Sequence, residues 1–164
     1  RGARQAGAAP PSAMAAALLI LLVMVAVGVL LNPGREQFAW FIRLRRPVWL
    51  TFERLIPVIW LAIYACFYAS ALLVWNASWS WGLMAGYLGL LLLVQSYTWL
   101  ICRTRRLANG TAVGFAGWVW GLALTVVVLQ VSALAALLLV PYLLWSPVGT
   151  FVTWQMQRLN NGRP

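Results

Sequence analysis

Charge is absent from three long stretches of this 164-residue chain, residues 5–34, 55–102 and 107–157. A water-soluble domain normally carries charge on about a quarter of its residues, whereas here twelve basic and two acidic residues serve the whole chain. The bilayer is the solvent that such blocks require. A helix needs roughly 20 apolar residues to cross a hydrocarbon core about 30 Å thick. The first block therefore holds one span and each of the others holds two. Lipid-exposed strands would leave their edges unsatisfied, and the alternating pattern of a barrel is missing. The reading is an all-α polytopic membrane protein, a bundle of five transmembrane helices.

Polar punctuation places the spans. Asn32-Pro33-Gly34 closes the first at about residues 12–31. Asn76-Ala77-Ser78-Trp79-Ser80 separates about 56–75 from 81–101, and Gln130-Val131-Ser132 separates about 111–129 from 133–154. One transmembrane domain, residues 12–157, is expected between tails at 1–11 and 158–164. The tail beginning at Arg1 has a small-residue stretch consistent with a processed or truncated N-terminus. Connectors this short make consecutive helices antiparallel neighbours.

With five spans, Arg1 and Arg4 lie on one side. Arg35, Arg43, Arg45, Arg46, Arg54, Arg103, Arg105, Arg106, Arg158 and Arg163 lie on the other. The positive-inside rule makes the second face cytoplasmic, or its equivalent in an organelle, and the expected location is a bacterial inner membrane or an organelle membrane. The net charge of +10 thus reports topology and not a nucleic-acid partner, which would need a basic face on a soluble domain.

The chain has no His, and its only acids are Glu36 and Glu53, so the usual general bases and the commonest metal ligand are nearly or wholly missing. No catalytic residue or metal site is expected. Cys66 and Cys102 fall in or at the ends of apolar runs and read as small hydrophobes.

The long connector, residues 35–54, interleaves Phe38, Trp40, Phe41, Trp49 and Phe52 with five Arg. It is expected on the membrane surface, either as a lid over the mouth of the bundle or as an interfacial anchor whose Arg side chains meet lipid headgroups. Pro47 should end any helix in its first part. Eleven Trp suit interfacial belts, core packing or the walls of a flat apolar cavity. Pro141 and Pro147 should kink the fifth span. Gly82-x3-Gly86 and Gly117-x3-Gly121 permit close helix contact, inside the bundle or across a homodimer. Val94-x2-Tyr97-x5-Arg103 formally meets a weak sterol-contact pattern.

Two constellations resemble a known family. Trp40-x6-Pro47-x-Trp49-x7-Pro57-x2-Trp60-x3-Tyr64 is similar to the first loop and second helix of the TspO/MBR (translocator protein or tryptophan-rich sensory protein) family. Val140-Pro141-Tyr142-Leu143-Leu144-Trp145, followed by Arg158-Leu159-Asn160, is similar to its fifth helix, and Trp118 falls where its fourth helix usually has a Trp.

The resemblance implies a membrane protein that senses or transports tetrapyrroles or similar flat apolar molecules. Its ligands would be of the porphyrin, haem or chlorophyll type, or other hydrophobic small molecules. The matching ligand-binding positions are Trp49, Trp60, Tyr64, Trp118, Tyr142 and Trp145. Arg43, Arg45 and Arg46 stand at the mouth to meet ligand carboxylates or lipid headgroups. No cofactor is required by this reading. The chain departs from the family pattern at Leu50-Thr51-Phe52-Glu53-Arg54, at Ser96, at Ile101 and at Val152-Thr153. These departures leave open an accessory subunit that holds pigment or lipid in a homodimer or larger membrane complex, and, as a lesser alternative, a porphyrin-degrading enzyme.

Overall fold

A computed structural model describes residues 12–161, and Arg1, Arg4 and Arg163 lie outside that range. Among the described residues the regular structure is entirely helical: α1 (Ala13–Leu30), α2 (Arg35–Ile42), α3 (Ile56–Ser78), α4 (Trp81–Thr104), α5 (Leu107–Leu129), α6 (Ala133–Leu137) and α7 (Val140–Asn160), with a 3-10 turn at Glu53–Leu55 before α3. Five spans are long and apolar enough to cross a membrane, the last made of α6 and α7 together.

Hydroxyl caps start three of these helices. The Oγ atoms of Ser12, Ser80 and Ser132 accept from the N–H groups of Ala15, Leu83 and Ala135, filling donors that the first turn of a helix leaves without partners. Pro57 sits in the first turn of α3, where its missing N–H costs nothing.

Several helices outrun their apolar runs. Asn76-Ala77-Ser78 continues α3, with Ser78 Oγ donating back to the Val74 carbonyl at 2.8 Å, so the connector contracts to Trp79 and Ser80, Trp79 turning the chain at φ 47°. Likewise α5 begins at Leu107 and α7 runs to Asn160. Hydropathy marks where hydrocarbon ends, whereas backbone hydrogen bonding carries a helix on into the interface. In the connector, α2 stops at Ile42, well before Pro47.

The two prolines of the fifth span act differently. Pro141 breaks it outright: its ring clashes with the carbonyl four residues back, which belongs to Leu137, the last residue of α6. Pro147 stays inside α7, and the carbonyl it deprives of a partner is that of Leu143. The indole N–H of Trp118 on α5 donates to that oxygen at 3.1 Å, which meets the requirement that backbone groups in lipid be satisfied within the protein.

The spans close into a ring. Helix α1 packs on α3 and α4, α4 on α5, α5 on α7, and α6 and α7 return to α3. The closest pairings, α4 with α5 and α5 with α7, rest on glycines of α5. A Cβ at Gly117 would lie 2.8 Å from Tyr142 Oη and one at Gly121 2.7 Å from the Tyr142 ring, while Gly110 and Gly114 leave no room beside Ile101 and Thr150. On α4, a Cβ at Gly86 would meet Leu124 at 3.0 Å and one at Gly89 would meet Trp120 at 2.8 Å. Gly86 and Gly117-x3-Gly121 therefore serve contact inside the bundle.

The main core lies in the half of the bundle away from the long connector and centres on Val74, Leu90, Val128, Ala135 and Leu139. Ser70, fully buried, lies 2.6 Å from the Tyr87 hydroxyl and donates to the Ala135 carbonyl at 2.7 Å. That knot ties α3, α4 and α6 together.

Candidate functional site: a lidded cavity

The other half of the bundle keeps a cavity of about 420 Å³ between α3, α4, α5 and α7, under α2 and residues 43–55. Its walls are chiefly aromatic and aliphatic: Phe38 and Phe41 from α2, Leu50 from the connector, Trp60 from α3, Val94 and Tyr97 from α4, and Tyr142, Trp145 and Met156 from α7. Small residues, Gly114, Gly117 and Gly149, keep it open. Polar groups are in the minority. Tyr97 bonds with Thr153 through the two hydroxyls and lies within hydrogen-bond reach of the Gly149 carbonyl.

One group stands apart. The indole Nε1 of Trp145 is buried and, among the described residues, is the only buried side-chain nitrogen or oxygen without a hydrogen-bond partner. Burying a donor unpaired is costly, and this one belongs to a residue of the cavity wall.

The connector is fastened down as a lid. Arg45 N–H donates to Asn160 Oδ1 at 3.1 Å and Asn160 Nδ2 returns a bond to the Arg45 carbonyl at 3.0 Å. Trp49 Nε1 donates to Gln155 Oε1 at 2.6 Å. A run of rings follows, with Trp154 against Phe151, Phe151 against Trp49, Trp49 against Phe52 and Phe52 edge-on to Trp145, at centroid separations of 5.7–6.3 Å. Arg46 pairs with Glu53 at 2.6 Å, donates to the Ile42 carbonyl and lies over the Phe41 ring. Both members of this ion pair line the mouth of the cavity.

The sequence-predicted residues separate accordingly. Trp60, Tyr142, Trp145 and Arg46 meet at the cavity. Trp49 lies in the lid against the outer side of α7, half exposed. Tyr64 packs against the main core and stacks on Trp60 at 5.8 Å. Trp118 braces the Leu143 carbonyl. Arg43 and Arg45 line two separate recesses on the lid side. The residues expected at the site did not include Phe38, Leu50, Glu53 or Met156, which line it. Glu53 carried a usable signal, as one of only two acids in the chain and the one set between Arg46 and Arg54. The two cysteines remain free thiols.

A family model described as the TspO/MBR family matches residues 15–159. The chain belongs to the TspO/MBR family. Its relatives include the "Tryptophan-rich sensory protein" of Cereibacter sphaeroides, 28% identical over 137 residues and covering 84% of each chain. "Protein CrtK" of Rhodobacter capsulatus is 28% identical over 141 residues, 84% of this chain and 86% of that one. The "Uncharacterized membrane protein YtaB" of Bacillus subtilis is 24% identical over 151 residues, 90% and 96% of the two chains. With five apolar spans, this TspO/MBR protein is a multi-pass integral membrane protein. Its first connector, third connector and C-terminal helix end meet at one end of the bundle, where Arg43, Arg105 and Gln157 line a common recess.

Proposed function

We propose that the protein is a membrane sensor or carrier whose lidded cavity binds a tetrapyrrole or a similarly flat, apolar molecule with a polar edge. The observation that carries this reading is the orphaned Trp145 N–H in the wall of a chiefly apolar, aromatic cavity. Such sites combine greasy walls with a few orienting polar groups, and about 420 Å³ falls within their usual range of about 300–1,000 Å³. A porphyrin-type plate stacks on Trp60, Tyr142 and Trp145. Its carboxylates lie toward Arg46, displacing Glu53 from a charge-assisted pair. With no His in the chain, haem would be held by stacking and not by an axial imidazole. The printed name of the Cereibacter relative, a sensory protein, supports the sensing role. The excess of Arg at the lid end supports placing that end on the cytoplasmic or equivalent side.

The test is a titration of purified protein with protoporphyrin, followed by tryptophan fluorescence. Saturable quenching is expected at micromolar ligand and should weaken in Trp145→Phe. Quenching that never saturates, or is equal in the variant, defeats the reading.

A second reading, an accessory subunit holding pigment or a neighbouring chain on its outside, is favoured by the exposed stack of Trp154, Phe151 and Trp49 on α7 and the lid. Native electrophoresis in mild detergent decides it: only free monomer or dimer counts against a larger complex.

A further inference from the structure

Among the described residues, six arginines, Arg35, Arg43, Arg45, Arg54, Arg105 and Arg106, have no partner on their guanidinium groups, and three of them share one recess. Among the described residues, Arg46 has Glu53, Arg103 lies over Trp99 and Arg158 lies over Trp154. Arg43, Arg105 and Arg106 have no carboxylate, carbonyl or ring on their guanidinium groups, and they line one recess of about 490 Å³ with Trp40, Leu44 and Gln157.

Three like charges in one recess repel unless an anion joins them. The two acids of the chain do not: Glu53 is bound to Arg46 and Glu36 lies in the first turn of α2, outside the recess. The recess is built by separate parts of the chain, the end of α2, the α4–α5 turn and the end of α7. At that turn Arg105 holds a left-handed φ of 53°, a conformation unfavourable for a residue other than glycine. Asn109 Nδ2 bridges the same turn to Thr104 Oγ1 at 3.0 Å.

We propose that this recess is a binding site for the headgroup of an anionic phospholipid, with Arg43, Arg105 and Arg106 holding the phosphate oxygens. Guanidinium forks match phosphate geometry. The lipid source follows from position. The recess lies where two spans end and a third begins, at the depth of headgroups, and Leu44 and Leu107 provide apolar wall for the glycerol and upper acyl chain beside an indole from Trp40. Asn160, which clamps the lid through Arg45, also lines the recess, so the bound headgroup sits against the lid's fastening.

The experiment is native mass spectrometry of the full chain in mild detergent, with dioleoyl phosphatidylglycerol or dioleoyl phosphatidylcholine added. The expected result is one tightly retained phosphatidylglycerol per chain and no equivalent retention of phosphatidylcholine. Arg43→Gln with Arg106→Gln should lower retention by at least about tenfold, because each basic residue near the surface contributes a few-fold or more. Arg35→Gln with Arg54→Gln, which removes the same charge outside the recess, should lower it less than about threefold. Arg105→Gly keeps the experiment readable if the double variant folds poorly, since glycine relieves the left-handed turn while removing the guanidinium; it should melt no lower than the parent and still lose lipid. Equal loss in the charge-matched control, or equal retention of both lipids, overturns the site. Release of the lipid by millimolar inorganic phosphate at unchanged ionic strength also overturns it, in favour of a soluble phosphate site.

Discussion

The two halves of this bundle use the same five spans to opposite ends. Away from the lid, Val74, Leu90, Val128 and Leu139 are essentially inaccessible, and the polar groups of Ser70, Tyr87 and Ala135 satisfy one another. Beneath the lid, glycines and small polar side chains leave a cavity, and one indole N–H goes without a partner. The difference teaches that close packing and open space are separated along the length of the bundle. One half is filled by its core, and the other, though its helices also touch, keeps open space between them.

The largest effect should come from breaking the packed half. Leu90→Ala removes a side chain only 1% exposed and should cost about 3 kcal/mol, read as a lower midpoint in detergent unfolding, while protoporphyrin affinity of the folded fraction stays near that of the parent. A matching loss of affinity would show that the halves are not separate. Gly121→Val is next. Its Cβ is driven into the Tyr142 ring, so stability should fall by about 2 kcal/mol and the ring, displaced toward the cavity, should weaken binding as well. An effect on only one of the two measurements would remove Tyr142 as their junction.

The reverse pattern belongs to the lid half. Trp145→Phe should leave the unfolding midpoint unchanged and reduce porphyrin affinity about fivefold to tenfold, the equivalent of one hydrogen bond of about 1 kcal/mol. A destabilised variant with unchanged affinity would assign that indole to packing. Trp118→Phe should cost about 0.6–1.7 kcal/mol because the Leu143 carbonyl loses its donor. In a Pro147→Ala background, where the backbone supplies an N–H again, the cost should shrink, and a double-mutant cycle measures the coupling. Smallest of all, Glu53→Gln frees Arg46 and should tighten binding of a dicarboxylate porphyrin by about threefold, in keeping with the modest worth of an exposed ion pair. Its dimethyl ester should bind as before.

How far the residues disclose the site depends on where each side chain points. Trp60, Tyr142 and Trp145 share the cavity, yet Trp49, Tyr64 and Trp118 do not line it, although the resemblance pointed to all six alike. An indole at a family position can wall a cavity, stack on a lid or brace a carbonyl, and spacing along the chain is the same in each case. The Pro147 to Trp118 relation was open in the same way. That a proline in a membrane helix must orphan a carbonyl is a local certainty, but which neighbour supplies the donor depends on the order of helices around the ring.

The amino-acid sequence by itself determined the solvent, the number of spans and the clustering of Arg at one end. Each follows from the cost of placing charge or unpaired backbone in hydrocarbon, a cost that any packing of the helices must meet. The connectors expected at residues 76–80 and 102–110 proved shorter, because helices extend past the hydrocarbon when their backbone bonds and neighbours allow. Only the tertiary structure decided that α5 is the shared partner of α4 and α7, that residues 43–55 close over the cavity and that, among the described residues, Trp145 alone has a buried side-chain donor without a partner. Those facts depend on which faces meet, and faces meet by shape: a glycine admits a ring, a ring excludes water, and what remains unfilled is the site.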